Sequence, residues 1–183
     1  WASRALAVRA LKGLTDLITV SVVNPRLSDQ GWQFGGYPGS TDDELNQATY
    51  MHQIYTQVAP DFTGRATVPV LWDKQQQTIV NNESADILRM LNSAFNELVN
   101  TGPDLYPADL ADEIDELNEE IYHKLNNGVY QAGFASSQAA YDEAFDNVFS
   151  TLDKLEARLA DGRDYVFGDV LTETDIRLFV TLV

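Results

Sequence analysis

Thr67-Val68-Pro69-Val70-Leu71-Trp72 and, after the polar stretch 73–77, Thr78-Ile79-Val80-Asn81-Asn82-Glu83-Ser84 carry more structural information than any other part of this chain. Their β-branched and aromatic residues predict two short strands joined by a turn at Asp73-Lys74-Gln75-Gln76. A helix is predicted from about Glu83 to Leu98, with Ile87, Leu88, Leu91 and Phe95 facing inward. Glu83 and Ser84 fall on its first turn, where free backbone N–H groups collect. A cis Val68-Pro69 bond would turn a backbone edge outward, and an X-Pro bond reaches cis for only about 0.5–1 kcal/mol. Together these features describe a pocket for the free end of a small peptide, gripped through its backbone. The plainer alternative is a hairpin followed by a capped helix.

Working outward, residues 2–12 read as a helix with Ala5, Val8 and Leu11 on one stripe and Gly13 as its stop. Residues 17–23 are β-branched and predict a strand. Residues 24–43 form a loop rich in Pro, Gly, Asp and Ser, and loops of that length are usually functional or disordered. Residues 44–58 predict a second helix. The order helix, strand, helix, strand, strand, helix is a thioredoxin-like half without its first strand. Asn100-Thr101-Gly102-Pro103-Asp104-Leu105-Tyr106-Pro107 reads as a linker. Beyond it the pattern is all-helical. One apolar repeat is Leu110, Ile114, Leu117, Ile121 and Leu125; another is Tyr141, Phe145, Val148, Leu152, Leu155 and Leu159. Gly128 and Gly133 break the chain between them. Thr172-Glu173-Thr174-Asp175 is a capping signature before a last apolar helix. The expected fold class is therefore α/β plus all-α, with an α/β domain over residues 1–99 and a helical domain over 108–183.

The 183 residues carry 28 Asp and Glu against 12 Lys and Arg, a net charge of −16, with 18 Asp and only 4 Lys. Such a surface repels phosphate backbones and argues against nucleic acid as a partner. The acids are dispersed. That pattern resembles proteins of salt-loving organisms, where screening removes the self-repulsion of a large net charge; an ordinary acidic cytosolic protein is the alternative. No apolar run approaches the roughly 20 residues that span a bilayer, so no membrane partner is expected. Cysteine is absent, which removes disulfides, thiolate metal sites and a thiol nucleophile from these residues.

Several side chains have two readings. Trp32, in Gly31-Trp32-Gln33-Phe34, either covers a bound peptide or anchors its loop. Arg65 either pairs with a ligand carboxylate or joins a surface ion pair. Tyr130, in Asn126-Asn127-Gly128-Val129-Tyr130, sits at a break that costs helix stability and often marks a functional bend. It is either a proton donor to an aromatic ligand or a packed ring. His52 and His123 lack partners at ligand spacing. The acids from Asp112 to Glu120 lack the glycine and oxygen spacing of a calcium loop, so no metal is expected. Gly35, Gly36 and Gly39 do not follow a strand and open a helix as a phosphate loop does.

The chain resembles the glutathionyl-hydroquinone reductases, the Xi class of glutathione transferases. The resemblance rests on Trp1 to Arg4, Val8 to Leu14, Gly31 to Phe34, Gly64 to Lys74, Thr78 to Asn92, Asn126 to Ala135, Gly168-Asp169 and Leu171 to Glu173. It implies a thioredoxin-like N-terminal half followed by an all-helical C-terminal half. It implies a cysteine nucleophile in a Cys-Pro-Trp-Ala motif, which attacks the thioether sulfur of a glutathionyl-hydroquinone and is then released by glutathione. Carried over by position, Trp32, Arg65, Ala66, Thr67, Val68, Glu83 and Ser84 would bind the thiol tripeptide, and Tyr130 would protonate the departing ring. The co-substrate would be glutathione, or gamma-glutamylcysteine, which shares the gamma-glutamyl end that Glu83 and Ser84 would hold. The substrate would be a small-molecule quinone thioether, and the parent protein a cytoplasmic homodimer.

The sequence opens at Trp1, the residue after the Cys-Pro pair of that motif. The nucleophile and the first strand are accordingly expected ahead of it, and further helices beyond Val183. Ser3, where many members carry His, has no activating base beside it and is not read as a nucleophile. These 183 residues alone are therefore expected to lack turnover. A non-catalytic binding module with the transferase fold is the alternative function.

Overall fold

The computed structural model describes residues 1–99 and 101–183. Two units pack separately, Trp1–Ile87 and Leu88–Val183.

The first unit opens with helix α1 (Ala2–Leu11). Its buried positions are Arg4 and Val8, one turn apart, and Leu11 is exposed. The apolar stripe expected through Leu11 is therefore displaced by a buried arginine. Helix α2 (Met51–Val58) follows the long loop. Strands β1 (Leu71–Asp73) and β2 (Thr78–Asn81) form an antiparallel hairpin in which Trp72 faces Ile79. The Asp73 carboxylate closes the turn by accepting from the backbone N–H of Gln75 and Gln76, both at 2.8 Å. Helix α3 (Ser84–Ser93) starts directly after β2. Phe34, Met51, Ile54 and Tyr55 form the buried core, with Val23, Trp32, Ala66, Val68, Trp72 and Ile79 packed on it.

Residues 17–23 do not form the expected strand. Val23 makes one isolated bridge to Phe34, and Val22 exchanges single hydrogen bonds with Thr41. β-branched residues favour extended backbone, but a strand exists only where a neighbour completes the ladder. Residues 44–50 are not helical either. Asp43 accepts from the N–H groups of Leu45, Asn46 and Ala48. Gln47 adopts φ +58°, and Gln33 bridges Tyr50. These local bonds compete successfully with a helical turn.

The second unit contains α4 (Ala111–Ile121), a π-helical turn (Tyr122–Asn126), α5 (Gly128–Gly133), α6 (Gln138–Leu159) and α7 (Glu173–Leu182). Its core is Ile121, Leu125, Val148, Leu155, Val166 and Leu178. The buried stripe of α6 is Ala144, Val148, Thr151 and Leu155. Tyr141, Phe145 and Leu159 are exposed instead. Thr172 and Asp175 form the expected capping box, with Thr172 N–H to Asp175 Oδ2 at 2.8 Å. The other Asp175 oxygen accepts from Val166 N–H at 2.8 Å and ties the preceding loop to the helix.

Glu120 accepts from Lys124 at 2.7 Å and Lys154 at 2.6 Å, linking α4 to α6 through the turn that follows it. The two ammonium groups hold its carboxyl below the 4.5 of an ordinary glutamate. A depressed folded pKa stabilises above the unfolded value and loses that stability as pH falls through the folded one. Thermal unfolding followed from pH 7 to pH 3 should therefore show Tm falling below about pH 4.5, with a shallower fall in Glu120→Gln. Equal slopes in the two proteins would mean the pair contributes nothing. The pair lies near the surface, so the difference should stay within about 1 kcal/mol.

Candidate functional site

The start of α3 collects most of the residues singled out from sequence. Asn81 Oδ1 accepts from Glu83 N–H at 2.6 Å, and Asn81 Nδ2 donates to Asp86 at 3.1 Å. The Glu83 carboxylate is exposed and accepts from Ala85 N–H at 3.2 Å and from Ser84 Oγ at 3.3 Å. Ser84 is buried, and its hydroxyl also accepts from Arg4 Nη1 at 3.2 Å. A carboxylate thus stands at the solvent edge of a helix N-terminus, with a fixed hydroxyl behind it.

Opposite this helix start runs the 65–70 segment. Val68-Pro69 is cis. Tyr55 Oη donates to the Thr67 carbonyl at 3.0 Å, and Asn82 Nδ2 donates to Thr67 Oγ1 at 3.5 Å. The second bond joins the segment to the residue before Glu83. Ala66 and Val68 pack on the core, whereas Thr67 and Arg65 are exposed. Arg65 makes no ion pair among the described residues. Trp32 is half-buried against the same core, and its carbonyl accepts from Met51 N–H at 2.8 Å; it does anchor its loop.

Two residues that sequence reading passed over hold this arrangement. Arg4 sits under Ser84 with its guanidinium 4.4 Å from the Trp1 ring, and Tyr55 fixes the Thr67 carbonyl. The four-residue spacing of Arg4 and Val8 was the available signal for the first. Nothing in sequence pairs Tyr55 with Thr67.

Tyr130 belongs to the second unit. It lies on α5, 47% exposed, with its ring stacked on Phe134 at 6.5 Å. His52 stacks on Tyr50, and His123 pairs with Glu119 on the surface of α4 and its extension. Among the described residues no group of His, Cys, Asp and Glu has metal-binding geometry, and no helix is long and apolar enough to cross a membrane.

Residues 1–94 match the family described as glutathione S-transferase, N-terminal domain, and residues 138–183 match glutathione S-transferase, C-terminal domain. The Xi glutathione transferase ECM4 from Saccharomyces cerevisiae, solved in complex with glutathione, superimposes with TM-score 0.93 at 37% identity, over all of this chain and 68% of that one. This chain belongs to the Xi class of the glutathione S-transferase family. Glutathionyl-hydroquinone reductase PcpF of Sphingobium chlorophenolicum is 51% identical over the whole chain and 58% of the relative. Glutathione-bound YqjG, a glutathione transferase homolog from Escherichia coli K-12, superimposes with TM-score 0.96 at 52% identity, over all of this chain and 59% of that one. The Xi-class chain thus spans less than three fifths of the length of these last two. Its family supplies the fold expected from sequence, a thioredoxin-like N-terminal part followed by a helical C-terminal part.

Proposed function

We propose that the protein carrying this chain reduces glutathionyl-hydroquinones with glutathione. In this reading a cysteine ahead of Trp1, as thiolate, attacks the thioether sulfur of the conjugate. The carbon–sulfur bond breaks, its electron pair goes to the ring carbon, and Tyr130 supplies the proton that completes the hydroquinone. The cysteine is left in a mixed disulfide. A second glutathione attacks that disulfide, giving glutathione disulfide and the free thiol. The sum is one conjugate plus one glutathione to one hydroquinone plus one glutathione disulfide.

The observation that carries the reading is the α3 start. The exposed Glu83 carboxylate suits the ammonium of a gamma-glutamyl group, and the N-terminal turn with Ser84 suits its carboxylate. The Thr67-Val68 segment, its Thr67 carbonyl held by Tyr55 and its Thr67 hydroxyl by Asn82, offers an edge for the cysteinyl peptide group, with Trp32 and Arg65 at its margins. Gamma-glutamylcysteine presents the same gamma-glutamyl end and fits the same groups. The reading takes residues 1–99 as the thiol-binding domain and 108–183 as the helical domain of a cytoplasmic homodimer acting on a small quinone thioether. It also takes the net charge of −16 as an adaptation to high salt; Tm should then rise between 0.1 M and 2 M KCl, and a flat or falling Tm would count against that part.

The test uses the full-length protein. Its sequence ahead of Trp1 should show a cysteine. Incubation with a glutathionyl-hydroquinone should release hydroquinone, and the intact mass should rise by one glutathionyl group when glutathione is withheld. Glu83→Gln keeps the helix-capping oxygen and removes the charge. It should raise KM for glutathione by about tenfold or more, the worth of a charge-assisted hydrogen bond of 1.5–3 kcal/mol. Absence of the cysteine, or of turnover with it present, would leave the non-catalytic binding module as the reading.

A further inference from the structure

The chain's path just before Tyr130 is unusual. A π-helical turn, Tyr122–Asn126, replaces regular helix between α4 and α5. Such turns carry one residue more than an α-helical turn, are rare, and often lie at functional sites. Here the turn is fixed by a polar bond inside the unit. Asn126 is 2% exposed, and its Nδ2 donates to Thr181 Oγ1 at 2.7 Å and to the Arg177 carbonyl at 3.1 Å, both on α7. Two residues later, Gly128 is buried against α6. A Cβ on Gly128 would lie 2.8 Å from Val148 Cγ2, closer than real contacts allow. The close approach therefore requires glycine, and not for its backbone angles. Gly128 and Tyr130 differ by two residues, about 200° around a helix. The residue that touches α6 and the residue that carries the phenol stand on opposite sides of one turn.

We infer that Gly128 and Asn126 are positioning residues for Tyr130, setting how far the phenol projects from the helical unit. The inference rests on the proposed role of Tyr130 as proton donor. Pushing α5 off Val148 by the missing ångström moves the phenol by a similar distance, and a misplacement of that size can cost about 100-fold in rate. The effect falls on kcat and leaves the glutathione site, built on the other unit, unchanged.

The experiment is a double-mutant cycle in the full-length protein, with kcat and KM for both substrates and Tm measured for each variant. Gly128→Ala should lower kcat at least tenfold with KM for glutathione unchanged. Alanine is the better helix former by about 1 kcal/mol, which offsets part of the crowding in Tm. Val148→Ala added to it removes the clashing methyl and should restore kcat. Made in a Tyr130→Phe background, Gly128→Ala should have little further effect, because its only catalytic consequence has already been removed. An equal loss in both backgrounds, or an unchanged kcat in Gly128→Ala, overturns the positioning role while Tyr130 keeps its own. An unchanged kcat in Tyr130→Phe itself overturns the proton-donor reading and this inference with it. Should Gly128→Ala not fold, Asn126→Ala carries the same cycle, since it frees the turn from α7 without adding bulk.

Discussion

Glu173→Ala should destabilise the helical unit by about 3–5 kcal/mol. Glu173 is fully buried in the first turn of α7. It accepts from Arg177 Nη2 at 2.8 Å, from Asn118 Nδ2 at 2.7 Å, and from Arg89 through Nε and Nη2 at 3.0 Å and 2.9 Å. Its own N–H donates to the Leu105 carbonyl at 2.8 Å. The carboxylate is therefore the node joining α3, α4 and α7 within the unit. Removing it leaves Arg177, 6% exposed, with no ion-pair partner among the described residues and with an Nε already lacking an acceptor. Arg89 suffers less, because it is partly exposed and keeps Asp115. Chemical denaturation of the full-length protein should show the midpoint falling sharply with an unchanged slope. Glu173→Gln, which keeps the volume and one acceptor, should lose less. An unfolding free energy within about 0.5 kcal/mol of the parent for Glu173→Ala would show that solvent reaches this cluster and compensates the arginines.

Tyr130→Phe should lower kcat by about 10²–10⁴, the usual share of a positioned general acid. The substitution removes one oxygen and keeps the ring that stacks on Phe134. KM for glutathione should also stay, because the residues proposed to bind it lie in the other unit. A loss confined to kcat is the signature of an interaction made only in the transition state, whereas a packing role for the ring would predict full activity in the phenylalanine variant. The two results are mutually exclusive. This makes Tyr130→Phe the sharpest single test of the chemistry proposed for the family member described above.

Much of the helical part was legible from periodicity. Ile114, Ile121 and Leu125 fall on one stripe because an α-helix repeats every 3.6 residues, and the stripe alone says which side is buried. The Thr172–Asp175 cap and the Asp73 turn were equally local, since both are hydrogen bonds between residues two or three apart. So was the placement of Glu83 and Ser84, neighbours in sequence, at the start of a helix.

The tertiary structure decided what depends on long-range partners. Residues 17–23 have strand propensity but no ladder, because propensity is local and pairing is not. Residues 44–50 look helical until Asp43 and the Gln33–Tyr50 bridge claim their backbone groups. Arg4, Glu173 and Arg177 are charged and were natural surface residues, since charges are buried only when partners arrive from elsewhere in the chain. Those partners are Ser84, 80 positions away, and Arg89, 84 positions away. The need for glycine at position 128 is of the same kind. Sequence marks the break, but only the approach of Val148 from α6 shows that a single methyl group would not fit.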